Sequence, residues 1–240
     1  MATRTRGPAT RWRATWPRGG SARRRRAMPT DTRPGAAWAV DDEAAALIKR
    51  ARALTSPAEA VALYRDWAPT YDRDVFERVG VNGSRRVADR LATHVADRAT
   101  AVVDLGCGTG AVGEGLRHHG YTAVDGVDIS PAMLEVAAAK GLYRSLCGVD
   151  LSRPYTAEAR YGAAVSASTF TSGYVGAAVV PTLAALLTPG GVLACAIGQL
   201  LWPAFEPALD PNGFTIVQSA LEAIRPGGPL ETVMLVARRR

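Results

Sequence analysis

The sequence predicts an α/β fold: a Rossmann-like, doubly wound, seven-stranded sheet that ends in an antiparallel hairpin. Two observations predict it. Between residues 100 and 198, apolar runs that end in acids or glycines alternate with helical patterns, as in parallel sheets whose strands are joined by helices. Beyond them, the segments 214–224 and 231–237 flank the turn sequence RPGGP at 225–229, which predicts the terminal hairpin.

The first strand–turn–helix unit lies at residues 101–110, which read AVVDLGCGTG. An apolar run ends in Asp104, glycines follow at every second position, and a helix can begin at Ala111. Glycine lets the backbone take positive φ and approach a ligand closely, and the free N–H groups of a helix start attract negative groups. The unit therefore predicts a nucleotide-type cofactor site beyond the carboxyl end of the strand.

Two cofactor signatures overlap in this loop. Residues 108–113 fit the G-x-G-x-x-G pattern of dinucleotide-binding proteins, whereas residues 104–110 match the D-x-G-x-G-x-G signature of class I S-adenosylmethionine (SAM) methyltransferases. Asp104 separates the two, because a carboxylate repels a pyrophosphate but suits the cationic groups of SAM. An NAD-dependent oxidoreductase stays as an alternative, although the only lysines, Lys49 and Lys140, form no Tyr-x-x-x-Lys pair.

Acids are also expected at the ends of the next two strands. The segment 123–128 ends in Asp128, about 20 residues beyond the glycines, where a carboxylate can bind both hydroxyls of a ribose. Ser130 and Pro131 then predict a helix start that runs to Lys140 and Gly141. A third strand ends before Asp150, which in class I methyltransferases is the position that meets the adenine amino group.

The later chain keeps the same alternation. Residues 163–168 predict a fourth strand and residues 177–187 an apolar helix. Thr188–Gly191 predicts a turn and residues 192–197 a buried fifth strand.

Three segments resemble a narrower group, the methyltransferase-like family named for the Williams–Beuren syndrome region and its bacterial relatives. They are ALYRDWAPTYD at 62–72, GVDISPAML at 126–134 and GLY at 141–143, and the resemblance covers roughly residues 60 to 200. It implies SAM as cofactor and an N-terminal helix, carrying Tyr64, Trp67 and Tyr71, that folds over it. Relatives often have histidine after the fourth strand, but this chain has TFTSGY there, so no histidine role is transferred.

The predicted cofactor-binding set combines these positions with their neighbours. It consists of Tyr64, Trp67, Tyr71, Asp104, Gly106, Cys107, Gly108, Gly110, Asp128, Ile129, Met133, Asp150, Leu151 and Ser168. No catalytic residue is assigned, because methyl displacement from a sulfonium needs a base only when the nucleophile arrives protonated. The missing base also leaves a non-catalytic SAM-binding module as an alternative. No metal site is predicted.

Composition places most of the positive charge in one segment. Residues 1–27 contain nine of the 29 basic side chains, and all 22 acidic ones lie beyond them, so the remaining chain is slightly acidic. We expect a disordered Arg-rich tail at residues 1–40. Met28 is an alternative translation start, in which case residues 1–27 are not translated. This charge pattern argues against a nucleic-acid substrate. It favours a small-molecule substrate.

The remaining expectations concern domain layout and compartment. Residues 41–240 predict one domain, with N-terminal helices at 41–95, a cofactor-binding core at 100–198 and a substrate-side helix plus hairpin at 199–240. No uninterrupted apolar stretch is long enough to cross a membrane. Three cysteines without C-x-x-C spacing indicate a reducing, cytoplasmic compartment.

Overall fold

The computed structural model describes residues 42–157, 160–170 and 174–240, and the predicted Arg-rich tail lies outside them. Within this part of the chain the α-helices are α1 (Asp42–Arg52), α2 (Pro57–Trp67), α3 (Gly83–His94), α4 (Ala111–His118), α5 (Pro131–Ala139), α6 (Val180–Leu186) and α7 (Trp202–Leu209). A π-helix (Arg73–Arg78) follows α2, and a 3-10 helix (Ala177–Val179) precedes α6. The strands are β1 (Val102–Leu105), β2 (Val124–Asp128), β3 (Ser145–Gly148), β4 (Tyr161–Phe170), β5 (Leu187–Gly198), β6 (Phe214–Glu222) and β7 (Thr232–Arg239).

The strands form a seven-stranded sheet in the order β3-β2-β1-β4-β5-β7-β6. The first five are parallel, and β7 pairs antiparallel with both β5 and β6. The predicted fold, including its terminal hairpin, is thus confirmed. The strand order reverses between β1 and β4, and in open α/β sheets this switch point opens the crevice where ligands bind.

Alternating side chains of β1 direct the packing of both faces of the sheet. Val102 belongs to the cluster that buries α3 and α4, with Leu91 and Leu116 fully buried. Val103 belongs to the opposite cluster, which buries α6 and α7 through residues such as Phe205. Because successive residues of a strand point to opposite faces, this alternation holds β1 rigidly at the centre. Its carboxyl end, where the glycine loop begins, is therefore firmly positioned.

The N-terminal helices pack into a separate layer, here called the N-terminal cover (residues 42–78). Its own small core contains Leu63, Trp67 and Val75, all buried. A bidentate pair between Arg52 and Glu231 connects the cover to the segment before β7, with N–O distances of 3.0 and 2.6 Å. Both ends of this pair are solvent-accessible, so its contribution to stability is small. The Arg52–Glu231 pair is therefore only one of several contacts that hold the cover to the sheet.

Two local predictions are corrected by the structure. The predicted turn Thr188–Gly191 lies inside β5, where Gly190 has a φ of +80°. The β4–β5 register jumps there, from Tyr161 opposite Leu187 to Ala163 opposite Val192, so the turn residues form a bulge and not a break. Tyr71, expected on the same helix as Tyr64, lies four residues beyond the end of α2.

Candidate functional site

A pocket opens at the carboxyl ends of β1, β2 and β4 and is closed on the far side by the N-terminal cover. The space between its lining residues, part of which is open to solvent, is about 720 Å³. Predicted residues that line it are Tyr64, Tyr71, Gly106, Gly108, Asp128, Ile129, Met133, Leu151 and Ser168. Lining residues outside the predicted set are Ala51, Leu54, Ala60, Val149, Ala167, Thr169, Tyr174 and Val175.

The glycine loop crosses the floor of this pocket. Its backbone is anchored to β2, because the N–H groups of Gly106 and Cys107 both donate to the carbonyl of Val127, at 2.8 and 3.0 Å. Gly106, Gly108 and Gly110 all have positive φ, between +52° and +95°. Side-chain-bearing residues rarely adopt this conformation, so the alternating glycines are required by the path of the chain. A Cβ built on Gly108 meets no atom within 4 Å, which leaves room for a ligand over the loop.

Asp128 connects the loop to α5. Its Oδ2 accepts a hydrogen bond from the Gly108 N–H at 2.9 Å, and its Oδ1 accepts one from Ser130 N–H at 2.8 Å. Burial raises the pKa of this carboxyl, and the backbone donors partly offset the rise. Each oxygen keeps a further lone pair, so the carboxylate can still accept from a ligand's hydroxyl pair.

Asp104 lies behind the loop and is fully buried. Its Oδ2 accepts a hydrogen bond from the Tyr143 hydroxyl at 2.7 Å, while its Oδ1 has no partner in the structure. Burial raises the pKa of Asp104 to about 7, against the lowering effect of the Tyr143 bond. An unpartnered carboxylate oxygen in a buried position is costly, and a ligand that brings a positive charge relieves that cost.

Asp150 is already occupied in this structure. Its Oδ1 accepts hydrogen bonds from the Ser152 N–H and hydroxyl and from the Tyr174 hydroxyl, the last at 2.8 Å. Burial raises the pKa of Asp150, but these donors and Arg153 outweigh it, so the pKa is lowered overall. Asp150 does not itself line the pocket, whereas its partner Tyr174 does. The predicted contact with an adenine amino group would therefore use Oδ2, which pairs with Arg153 at 3.4 Å, or replace one of the donors to Oδ1.

The three aromatic residues of the cover that were predicted to bind the cofactor have two different roles. Tyr64 and Tyr71 line the pocket, and burial, together with nearby Asp128, raises the pKa of Tyr64 to about 12 and also raises that of Tyr71. Both therefore stay protonated at neutral pH. Trp67 stacks on Tyr64 and donates from its indole nitrogen to Asp74 Oδ2 at 3.1 Å. It packs the cover from within and does not line the pocket.

The remaining predicted residues that do not line the pocket lie directly behind it. They are Asp104, Cys107, Gly110 and Asp150. Cys107 is buried beneath the loop, and burial holds the pKa of its thiol well above the usual value. Its thiol is therefore not a nucleophile at neutral pH. Cys107 and Gly110 shape the loop without lining the pocket.

Ser168 is the one residue other than glycine with positive φ in the described chain, at +62°. It lies where the register between β4 and β5 shifts, just before Phe170. Such a conformation costs about 1 kcal/mol for a residue with a Cβ, and strain of this kind is concentrated at functional sites. Here it coincides with a hydroxyl that lines the pocket.

An ionic cluster ties the cover to the glycine loop. Asp72 accepts a hydrogen bond from Thr109 of the loop through Oδ1, and its Oδ2 pairs with the Lys140 ammonium at 2.6 Å. The same ammonium pairs with Glu114 of α4 at 3.1 Å. Sequence patterns did not reveal this cluster, because its members are separated by up to 68 residues. We call it the Lys140 cluster (Asp72, Thr109, Glu114 and Lys140).

Replacing Lys140 with methionine is expected to loosen the cover selectively. The change leaves two carboxylates without their shared cation, at a cost on the order of 1 kcal/mol because the group is only partly buried. Hydrogen exchange in α2 should accelerate several-fold, while exchange in β1 and β4 stays unchanged. Lys49→Met, which removes the only other lysine, is the matched control. Equal exchange in both variants would contradict this role.

The site residues fit SAM. The bare Oδ1 of Asp104 suits a cation, the Asp128 carboxylate can accept from a ribose diol, and the open space above Gly108 admits a ligand close to the backbone. The competing interpretation of residues 108–113 as a dinucleotide-binding G-x-G-x-x-G loop is weakened at the last glycine, Gly113. A Cβ on Gly113 would lie 2.6 Å from Cζ of Tyr143, so glycine there is explained by aromatic packing and needs no pyrophosphate.

Comparisons with known proteins agree with this geometry. Residues 102–191 match the family described as "Methyltransferase domain". Human methyltransferase-like protein 27 is 32% identical over 155 residues, which are 63% of this chain and 62% of that protein, so the match spans less than two thirds of the relative.

Solved structures share the fold at low sequence identity. A TehB-like SAM-dependent methyltransferase from Corynebacterium glutamicum has a TM-score of 0.59 and 20% identity, covering 75% of this chain and 99% of that one. Magnesium protoporphyrin IX methyltransferase from Synechocystis PCC 6803, solved with bound SAM, has a TM-score of 0.56 and 21% identity, covering 75% and 96%. Residues 102–191 therefore resemble a methyltransferase domain, and the chain shares its fold with these solved SAM-dependent methyltransferases.

Proposed function

We propose that this protein is a SAM-dependent methyltransferase that methylates a small-molecule acceptor by direct displacement. The observation that carries the proposal is the position of Asp128 and the positive-φ glycine loop. Both lie at one pocket at the switch point of the sheet, under a cover that encloses it. A match to human methyltransferase-like protein 27 supports the narrower resemblance seen in residues 60–200.

The chain's residues divide the work of holding the cofactor. Asp128 would accept from the ribose hydroxyls, and the backbone at Gly106 and Gly108 would lie against the ligand. Asp104 would take the positive amino group through its unpartnered oxygen. Ile129, Met133 and Leu151 add the apolar surface that a nucleoside requires.

SAM, when bound, would supply an electrophilic methyl group on a sulfonium, with the neutral thioether SAH as leaving group. The residues contribute mainly by alignment and by excluding water, which can account for roughly 7–11 kcal/mol of a barrier in favourable cases. Tyr64 and Tyr71 remain protonated and can orient an acceptor through their hydroxyls. Ser168 offers a further hydroxyl at the strand end.

The nature of the lining supports a small, uncharged acceptor. Outside the predicted cofactor-binding positions, the described lining residues are Thr169, Tyr174 and six aliphatic residues, three of them from the cover, with no lysine or arginine among them. Asp128 is the acidic residue among the described lining residues, so an anionic acceptor would lie close to a group that can carry the same charge. Like charges repel strongly in a partly dry site, so a neutral acceptor is favoured.

We further propose one domain at 41–240, with the N-terminal helices serving as cover, and a reducing, cytoplasmic compartment. Cys107 and Cys195 are free, buried thiols in this structure, which supports the compartment. None of the helices in the described residues is long and apolar enough to cross a bilayer.

The proposal is tested first by calorimetric titration of the full chain with SAM, S-adenosylhomocysteine (SAH) and NAD in parallel. We expect micromolar affinity for SAM and SAH and no heat of binding with NAD, because the Asp104 carboxylate suits a cationic amino group but opposes a pyrophosphate, whereas Asp128 suits the ribose of either cofactor. Binding of NAD alone would overturn the proposal.

The acceptor class is tested by measuring SAH release with size-matched sets of uncharged amines, phenols, thiols and carboxylic acids. We expect release with uncharged acceptors and none with the carboxylic acids. Release only with RNA or protein would refute the small-molecule part. SAM binding without release for any acceptor would instead favour the non-catalytic module.

A further inference from the structure

Tyr143 lies against the glycine loop, in a space that three glycines leave free. A Cβ on Gly110 would lie 3.2 Å from the Tyr143 ring, one on Gly126 would lie 3.1 Å from it, and one on Gly113 would overlap its hydroxyl. Gly126 is the direct cross-strand partner of Asp104 in the β1–β2 ladder. The glycine opposite Asp104 therefore lets the tyrosine ring lie beside the carboxylate.

The contact that results is a short hydrogen bond between two buried groups. The Tyr143 hydroxyl donates to Asp104 Oδ2 at 2.7 Å, and the other oxygen, Oδ1, has no partner in the structure. Burial, and then the Asp104 charge, raise the pKa of Tyr143, so its hydroxyl stays a donor at neutral pH. A fixed donor on one oxygen holds the plane of the carboxyl group and leaves the second oxygen, which is also buried, without a partner.

We propose that Tyr143 is a positioning residue of the cofactor site: it holds the buried Asp104 carboxylate by one oxygen so that the other can bind the cofactor's positive amino group. The inference rests on the proposed function. Tyr143 does not line the pocket and acts only through Asp104.

The charge state of Asp104 links this contact to pH. The titratable groups that act on it come from three elements: Tyr143 before β3, Asp128 at the end of β2, and Cys107 in the loop. Burial raises the Asp104 pKa to about 7, Tyr143 lowers it, and Asp128 raises it. Because a bound cation favours the ionised carboxylate, SAM affinity should rise with pH through about 7 and then level off. Loss of the Tyr143 hydroxyl should move that rise to higher pH.

The experiment compares Tyr143→Phe with Tyr161→Phe in the full chain. Tyr161 is a matched control, because its hydroxyl also donates to a carboxylate, that of Asp125. Asp125 is the cross-strand partner of Val103, the residue before Asp104, so its side chain lies on the opposite face of the sheet from Asp104. In the ligand-free proteins, carbon-13 NMR of labelled aspartates should show the Asp104 pKa raised on the order of one unit in Tyr143→Phe, as expected for a lost charge-assisted hydrogen bond. It should be unchanged in Tyr161→Phe.

Calorimetry with SAM provides the second readout. At pH 7, Tyr143→Phe should bind on the order of tenfold more weakly than wild type and recover toward wild-type affinity at higher pH. Asp104→Asn, which cannot titrate, should bind weakly at every pH. An unchanged Asp104 pKa and pH profile in Tyr143→Phe would overturn the inference, as would an equal effect of Tyr161→Phe. If wild type bound no SAM at any pH, the proposed function would fail, and the ligand-free NMR titration would still decide the role of Tyr143.

Discussion

Replacing Asp128 with alanine is expected to lower SAM affinity on the order of a hundredfold or more. The carboxylate would accept from two ribose hydroxyls, and hydrogen bonds to a charged group contribute about 1.5–3 kcal/mol each. The change also removes the acceptor for the Gly108 N–H, so the loop loses one of its hydrogen bonds to β2. Calorimetric titration of the full chain with SAM at pH 7.5 measures the loss.

The control for this variant lies in the same strand. Asp125 carries a partly buried carboxylate that pairs with Arg144 at 2.6 Å and lies away from the pocket. Asp125→Ala should therefore reduce thermal stability modestly and leave SAM affinity near wild type. Asp128→Asn should fall between wild type and Asp128→Ala, because an amide keeps one acceptor oxygen. Wild-type affinity in Asp128→Ala would contradict the assigned site.

The parts of the fold that depend on local patterns were predictable. The strand ending at Asp104, the glycine turn and the helix cap at Ser130 depend on residues within a few positions of each other, and the structure confirms all three. The bulge in β5 was not predictable. Thr188–Gly191 has the residue types of an ordinary turn. These residues belong to β5 only because the strand pairs with β4 on both sides of them.

The residues of the site can also be divided into those that local sequence patterns predict and those that they do not. Residues at strand ends, such as Asp128 and Ser168, line the pocket because the carboxyl ends of parallel strands meet there. Tyr143 and the Lys140 cluster escaped prediction because each depends on contacts between distant segments. Nothing near Tyr143 in the sequence indicates that three glycines from α4, β2 and the loop leave space for its ring.

The glycines of the loop should also differ in how much each contributes to stability. The largest loss of stability is expected on replacing Gly106. Gly106→Ala is expected to lower the free energy of unfolding by about 3 kcal/mol or more, from the αL conformation and steric overlap together. The new Cβ would lie 2.6 Å from Cγ2 and 2.8 Å from Cβ of Thr169. Thr169 cannot easily move away, since its hydroxyl donates to the Leu105 carbonyl.

Gly108→Ala is the matched comparison, because Gly108 also has positive φ but a Cβ there meets no atom within 4 Å. It should cost only about 1 kcal/mol of stability, from the backbone conformation alone. Its methyl group would occupy the space where we place the cofactor, so SAM affinity should fall while the protein stays folded.

Thermal and urea unfolding, followed by SAM titration, separate the two effects. Adding Thr169→Ala to Gly106→Ala should recover part of the lost stability, because it removes both the hydroxyl and the methyl group that the new Cβ meets. The same addition should not help Gly108→Ala. Equal stability of the Gly106 and Gly108 variants would show that Thr169 does not constrain the loop. Unchanged SAM affinity in Gly108→Ala would show that the cofactor does not lie over this part of the backbone.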